Sequence, residues 1–167
     1  ILYVHFSEAM TATFNSLRLA LEELKEKYPE RKMELIDTKG ITLSSYLLCI
    51  RVGEMYKQGK SIEDIKNWMA ENVDKYACYF YADDLKFFAK SGRVSGFAGF
   101  MGGLIGIKPI IFMDSDGKMK TKTKARGRKQ ALQKLLEIVI ELEDGIKEDG
   151  VILAHTDALS IAEEFAE

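Results

Sequence analysis

The feature that most constrains the fold of this chain is a glycine-spaced apolar run between Ser95 and Pro109. Five of the thirteen glycines lie between Gly96 and Gly106. Glycine loses more backbone freedom on folding than any other residue, so it weakens a regular helix or strand. The run therefore indicates backbone that bends or is closely approached. Arg93, just before it, predicts an anion contact at the mouth of an apolar wall.

Length and charge favour a globular protein with a substantial core. With 167 residues, 47% of them hydrophobic, the chain is able to bury roughly 70% of its unfolded surface. Its 24 basic and 26 acidic residues give a formal charge of −2, which argues against nucleic acid and against more than transient membrane contact. Cys49 and Cys78 lie in apolar runs without metal-ligand spacing, which indicates buried reduced thiols, a cytoplasmic location and no metal site.

The start of the chain lacks the features of a targeting segment. No signal peptide is visible, and no apolar stretch approaches the roughly 20 residues of a membrane helix. The sequence opens inside a predicted strand, 1–6, with neither a methionine nor a polar lead. We therefore expect a piece of a longer protein.

The first half of the chain alternates predicted strands with helices. Predicted strands cover 1–6 and 33–36, and predicted helices cover about 10–28, 44–58 and 61–74. The second helix reads as largely buried, and Ser61 with Asp64 gives the third a capping box. This order predicts part of a doubly wound α/β domain, which we place at residues 1–76.

The second half has a different pattern and predicts an α+β domain at residues 77–167. Predicted strands cover 78–81, 107–113 and 151–154. A short predicted helix ends at Lys90, and two longer ones cover 129–142 and 157–165. The turn 114–117 joins strand 107–113 to a following strand, so this pair predicts a β-hairpin with helices on one side. We expect a ligand to bind between the two domains.

Two junctions between a strand and a helix carry candidate ligand-binding residues. Ser7 follows the first strand, where unpaired N–H groups and the helix dipole favour an anion, although the local sequence by itself favours Ser7 or Thr11 as a simple helix cap. His155 follows the predicted strand 151–154, beside Asp157, and is read either as a donor to an anionic group or as a surface histidine. As an acid/base pair, His155 and Asp157 support an alternative function, an enzyme acting on a small anion.

The glycine-spaced run supplies candidates for an apolar tunnel, and a tightly packed helix explains its glycines equally well. The side chains that would line the tunnel are Phe97, Phe100, Met101, Leu104 and Ile105, with the strand from Ile107 to Ile110 completing the wall. Four alternating lysines, 118 to 124, predict either a docking surface for an acidic partner or a solvated strand face.

The motifs together resemble the DegV family of bacterial fatty-acid-binding proteins over nearly the whole chain. Phe6 to Phe14 is similar to the family segment Ile-Ser-Ser-x-x-Ser-Gly-Thr-Tyr, and Asp37 with Thr38 to its Asp-Ser/Thr. DDLKFFAKSGRVS, from Asp83, resembles Asp-Leu followed by Gly-Gly-Arg-Ile-Ser. The remaining matches are Gly106 to Ile110, Arg126 to Lys129 and His155 to Asp157.

The resemblance implies a non-catalytic carrier that needs no cofactor. It implies that a fatty acid such as palmitate or oleate lies in an apolar tunnel that includes Ile107 and Ile110, with Ser7 and His155 holding its carboxylate. It also implies that Arg93 faces a partner, an ATP-dependent fatty acid kinase that forms the acyl phosphate. Glu8 stands where the family has its second serine, so its carboxylate is expected to repel the lipid head group unless it points away or is protonated.

Overall fold

Two strands at the start of the chain pair in parallel, as the alternation of strands and helices predicts. A computed structural model describes residues 1–85, 90–92, 106–142 and 150–167. Strand β1 (Leu2–His5) pairs with β2 (Glu34–Asp37), with Leu2 opposite Glu34 and His5 opposite Asp37. A short 3-10 turn (Glu8–Met10) and helix α1 (Thr13–Lys27) connect the two strands.

The chain divides into two compact units. The first unit contains Ile1–Cys78 and Met113–Lys120, and the second contains Tyr79–Phe112 and Thr121–Glu167. The first segment of the first unit ends at Cys78, two residues after the domain boundary that the sequence predicts. The tip of the predicted hairpin belongs to the first unit, as do Ala77 and Cys78, and the rest of the second half belongs to the second unit. A domain boundary between residues 76 and 77 stays a prediction.

Helices cover both faces of the two-stranded sheet in the first unit. Helix α2 (Thr42–Lys57) and helix α3 (Ile62–Asn72) pack on the face that Leu2 and Val4 occupy. Successive strand residues face opposite sides, so His5 points the other way. It packs on Phe14 of α1, with ring centroids 3.9 Å apart. This layering is the one that the doubly wound pattern predicts.

The core of the first unit lies between the sheet and helices α2 and α3. Its buried members are Ile36, Leu48, Val52, Ile65, Met69 and Val73. The prediction of a largely buried α2 is wrong, because Tyr46 and Tyr56 are exposed on it. Apolar residues occur around the whole of α2, so its hydropathy periodicity is weak and does not predict which face is buried.

The two cysteines differ in exposure. Cys49 is exposed on α2, so the prediction of a buried thiol is wrong there, while Cys78 is half-buried. Burial raises the pKa of the Cys78 thiol, and hydrogen bonds with Ser44 and Thr42 only partly oppose this effect. A raised pKa keeps the sulfur protonated and therefore a poor nucleophile.

The second unit is built on a three-stranded sheet. Strand β3 (Tyr79–Tyr81) pairs antiparallel with β4 (Ile107–Met113), which forms a hairpin with β5 (Met119–Arg126). Helix α4 (Gly127–Glu141) follows directly. The buried cluster consists of Ile110, Ala125, Ala131 and Ile138. The predicted hairpin and the helix after it are both confirmed.

The C-terminal segment departs from the prediction. Helix α5 (Leu159–Ala166) is present, but residues 151–154 form no strand and their side chains are exposed. Apolar residues favour a strand only where a neighbouring strand completes the hydrogen bonds, and no described strand pairs with this segment.

The predicted short helix ending at Lys90 falls largely on 86–89, outside the described ranges. Among the described residues, no helix is long and apolar enough to span a membrane.

Candidate functional site

Ser7 lies two residues beyond the C-terminal end of β1, and its side chain is fully buried. Its exposed fraction is 0%, and its hydroxyl donates to the Gly117 carbonyl oxygen at 2.6 Å. The Ser7 hydroxyl oxygen also accepts the Ala9 N–H at 3.2 Å, which caps the 3-10 turn. In this structure Ser7 therefore acts as a cap, which is one of the two roles that the sequence predicts for it. Because a hydroxyl has a single hydrogen, Ser7 must turn away from Gly117 to donate fully to a ligand.

Gly117 allows the hairpin tip to approach Ser7 closely. Its φ of 72° lies in the left-handed region. A Cβ built on it would overlap the Ser7 hydroxyl and lie 3.2 Å from Ser7 Cβ and 3.4 Å from Lys39 Cα. The position thus requires glycine both for its backbone conformation and for space.

A pair of buried hydroxyls lies at the corresponding end of β2. Thr38 Oγ1 and Ser45 Oγ are 2.8 Å apart, and Thr38 is 2% exposed. The Thr38 N–H donates to the His5 carbonyl at 3.0 Å, and the Ser7 N–H donates to the Gly40 carbonyl at 2.8 Å. The C-terminal ends of the two parallel strands are therefore joined. Our sequence reasoning assigned Thr38 and Ser45 no role, although Thr38 follows β2 much as Ser7 follows β1.

His5 is a buried polar residue to which the sequence pattern assigns no role. Its exposed fraction is 9%, and its Nδ1 lies 2.5 Å from the Phe6 carbonyl oxygen, which requires a proton on Nδ1. Nε2 is buried without a hydrogen-bond partner among the described residues. The imidazole is therefore held in one tautomer between the backbone and the ring of Phe14.

The Glu8 carboxylate, which is expected to repel an anionic head group, is paired with a cation. Its carboxylate lies 2.7 Å from Arg18 Nη2, and the Arg18 guanidinium stacks on the Phe14 ring, 4.6 Å from its centroid. Both charged side chains line a groove of about 610 Å³. Its other charged side chains are Asp37, Lys39, Asp116 and Lys118. Mixed charges on the wall do not suit an acyl chain, so this groove is not the predicted tunnel.

Asp114 organises the hairpin tip that reaches Ser7. Its Oδ1 accepts the N–H groups of Asp116 and Lys118 at 3.0 and 2.8 Å, and Lys120 Nζ lies 2.6 Å from Oδ2. Burial opposes ionisation of this carboxyl, but the Lys120 ammonium and the Lys118 N–H outweigh it. The pKa of Asp114 therefore lies below its usual value.

The charge of Asp114 is expected to stabilise the protein only above acidic pH. A carboxyl whose pKa is lower in the folded state contributes stability above its unfolded pKa of about 3.9 and loses it as the pH falls through the folded value. Asp114→Asn keeps Oδ1 but removes the charge, and should cost about 1 kcal/mol at pH 7. Urea unfolding at pH 7 and between pH 4 and 2 should show this difference shrinking in acid. A difference independent of pH would contradict the assignment.

His155 has a hydrogen bond that fixes its tautomer. Its Nδ1 accepts the Ala158 N–H at 3.2 Å, so in the neutral ring Nε2 carries the hydrogen and is available as a donor. No hydrogen bond to Asp157 appears among the described contacts, and Asp157 has a φ of 51°. The side chain thus suits donation to an anion better than proton exchange with Asp157. Ser7 and His155 belong to different units, and their joint role stays a prediction.

Most of the predicted tunnel lies outside the described residues. Arg93, Phe97, Phe100, Met101, Leu104 and Ile105 are in this group. Ile107 is half-buried, and Ile110 is fully buried in the core against α4. Their contact with a ligand stays a prediction.

The lysine row occupies one face of β5, as predicted. Lys120, Lys122 and Lys124 are exposed and alternate with less exposed residues. Strand β5 lies at the edge of the described sheet. Exposed lysines on an edge strand discourage pairing with another chain, which is a sufficient role for the row.

Comparison with known proteins decides the family. All 167 residues match the family model described as "Uncharacterised protein, DegV family". The chain belongs to the DegV family. A DegV domain-containing protein of Clostridium perfringens (strain 13 / Type A) is 39% identical over 170 residues, which cover 100% of this chain and 57% of that protein. The chain therefore spans little more than half the length of this DegV relative.

Solved structures of DegV proteins share the fold. One from Eubacterium eligens, loaded with heptadecanoic acid, has a TM-score of 0.78 at 24% sequence identity. The match covers 99% of this chain and 59% of the Eubacterium eligens chain. The Streptococcus pneumoniae Fatty Acid Kinase (Fak) B3 protein, loaded with linoleic acid, has a TM-score of 0.74 at 24% identity, covering 84% and 50%. The predicted mixed α/β fold and the resemblance to DegV proteins are both confirmed.

Proposed function

We propose that this protein binds a long-chain fatty acid, such as palmitate or oleate, in an apolar tunnel and presents its carboxylate to a fatty acid kinase. The observation that carries the proposal is a fully buried serine hydroxyl at the C-terminal end of a parallel strand in a DegV chain. Ligands of open α/β sheets collect at such strand ends. The fatty acids bound to DegV proteins of the same fold support the same ligand class.

Two neutral donors hold the carboxylate in this proposal. Ser7 offers its hydroxyl once it leaves the Gly117 carbonyl, and His155 offers Nε2–H because its Nδ1 is engaged by Ala158. An ionised acceptor forms a stronger hydrogen bond than a neutral carbonyl does, so the carboxylate competes well for the Ser7 hydrogen. Glu8 does not oppose this binding, because Arg18 neutralises it.

The acyl chain supplies most of the affinity. Each buried methylene contributes about 0.8 kcal/mol, so a dozen give on the order of 10 kcal/mol before the costs of association. The head-group donors then fix orientation. The tunnel wall in this proposal is formed by Phe97, Phe100, Met101, Leu104, Ile107 and Ile110.

The protein is a carrier without chemistry of its own in this proposal. A separate ATP-dependent kinase forms the acyl phosphate, and Arg93 faces that kinase. The carrier needs no cofactor, acts in the cytoplasm and touches membranes at most transiently. The Fak B3 protein of Streptococcus pneumoniae, which has the same fold, supports the assignment of a kinase partner.

Native mass spectrometry of the gently purified protein should show a bound fatty acid. Ser7→Ala should weaken palmitate binding by about 10-fold, since it removes one hydrogen bond to a charged group. Arg93→Ala is the matched control: it should bind palmitate normally but support less acyl phosphate formation with the kinase. A protein that carries no fatty acid and shows no thermal shift with palmitate or oleate would refute the proposal.

A further inference from the structure

We propose that Thr38 and Ser45 are positioning residues for the fatty-acid carboxylate, which they affect through Ser7. This inference rests on the proposed function, because it assumes that Ser7 meets the head group. It assigns a role to two buried hydroxyls that the carrier function does not otherwise use. Neither residue contacts the ligand in this proposal.

The hydroxyl pair is built into the interior of the first unit. Thr38 is 2% exposed and Ser45 8% exposed, and their oxygens lie 2.8 Å apart. Thr38 follows β2, whereas Ser45 lies in the first turns of α2. The pair therefore ties the end of a strand to the start of a helix. Polar groups at such depth are costly unless they are paired, so this contact strongly restricts both segments.

A short chain of hydrogen bonds connects the pair to Ser7. Thr38 Oγ1 accepts the Gly40 N–H at 3.4 Å, and the Gly40 carbonyl accepts the Ser7 N–H at 2.8 Å. Gly40 lies close against the start of α2, because a Cβ built on it would overlap Ser44 Oγ and lie 3.3 Å from the Ser45 nitrogen. The Thr38 hydroxyl thus restrains Gly40 through its N–H, and the carbonyl on the other side of the Gly40 Cα holds the Ser7 N–H.

The segment between Thr38 and Gly40 needs this support. Lys39 has a φ of 50°, a conformation that a residue with a side chain adopts only when its surroundings impose it. The Lys39 N–H donates to Asp37 Oδ1 at 2.8 Å, which fixes one side of the residue. The hydroxyl pair fixes the other side. Loss of the Thr38 hydroxyl should therefore let residues 38–40, and Ser7 with them, shift by relaxing Lys39.

Binding of two ligands that differ only in the head group tests the inference on the intact protein. Displacement of a fluorescent fatty-acid probe by palmitate and by hexadecanol gives two affinities for each variant. Thr38→Val keeps the shape of the side chain and removes its hydroxyl. It should weaken the binding of palmitate by about 5-fold and the binding of hexadecanol by less than about 2-fold. Thr38→Ser, which keeps the hydroxyl, should restore palmitate binding.

Two further variants separate positioning from stability. Thr38→Val leaves Ser45 unpaired, whereas Thr38→Val/Ser45→Ala removes both hydroxyls and should regain part of the lost thermal stability. The double variant should still bind palmitate weakly. In a Ser7→Ala background, Thr38→Val should have no further effect on palmitate, because the residue through which it acts is gone.

The possible failures are distinguishable. Equal losses for palmitate and hexadecanol, or losses from Thr38→Val and Ser7→Ala that simply add, would overturn the positioning role while the fatty-acid carrier stands. An unmodified protein that binds neither ligand would refute the proposed function and this inference together. Loss of palmitate alone, rescued by Thr38→Ser, is the result that establishes it.

Discussion

Replacing Gly117 with alanine is expected to lower the free energy of unfolding by about 2 to 4 kcal/mol. Two penalties combine at this position. The left-handed φ of 72° strains any residue with a Cβ, and the new Cβ would overlap the Ser7 hydroxyl. Neither neighbour yields easily, because Ser7 is fully buried and the third close atom, Lys39 Cα, belongs to the backbone.

The same substitution should also weaken fatty-acid binding in the proposed carrier. The methyl group of alanine lies against the Ser7 Cβ as well as its hydroxyl, so the whole Ser7 side chain is displaced from the strand end and its hydroxyl is not simply turned away from Gly117. Ser7→Ala/Gly117→Ala removes the overlapping oxygen and should regain part of the stability, although Ser7 Cβ remains 3.2 Å from the new methyl position. It should not regain palmitate affinity, because the hydroxyl is absent.

Gly59→Ala is the matched control for Gly117→Ala. Gly59 also has a left-handed φ, 78°, but a Cβ built on it meets nothing within 4 Å. It should cost about 1 kcal/mol, the penalty for the backbone conformation alone. Urea unfolding of both variants gives the two values, and their difference measures the contact with Ser7. Equal costs would show that Ser7 and Gly117 do not constrain each other.

The two residues of this contact illustrate what local sequence is able to predict. The turn at 114–117 and the strand end before Ser7 were both predicted, because each depends on residues a few positions apart. Their meeting joins positions separated by 110 residues. Periodicity and turn composition contain no information about such a distance, so only the structure shows that Ser7 donates to the hairpin tip.

His155 and the segment before it show the opposite case. Apolar residues 151–153 have the composition of a strand, yet they lie exposed with no described strand beside them. A strand is a property of a pair, and composition describes only one member. The sequence predicts a role for His155 from its place between this strand and a helix, and among the described residues only the helix of that junction is present. The bond of His155 to Ala158 gives it the donor that the prediction requires.

Leu48→Ala is the second substitution with a large expected effect, about 3 kcal/mol of unfolding free energy. Leu48 is 0% exposed and packs with Ile36 and Val52 in the core beneath β2. Truncation removes three heavy atoms from a site that the surrounding helices cannot refill, so a cavity remains. That cavity lies one turn from Ser45 on the same helix and should loosen the contact of Ser45 with Thr38 as well.

Leu19→Ala is its control, because Leu19 is 63% exposed on α1. Thermal and urea unfolding should show a change within about 0.5 kcal/mol for Leu19→Ala. Leu48→Met, which conserves volume, should cost less than about 1.5 kcal/mol. A Leu48→Ala protein as stable as Leu19→Ala would mean that α2 does not pack on β2. The parallel strand ends would then lack the support on which the position of Ser7 depends.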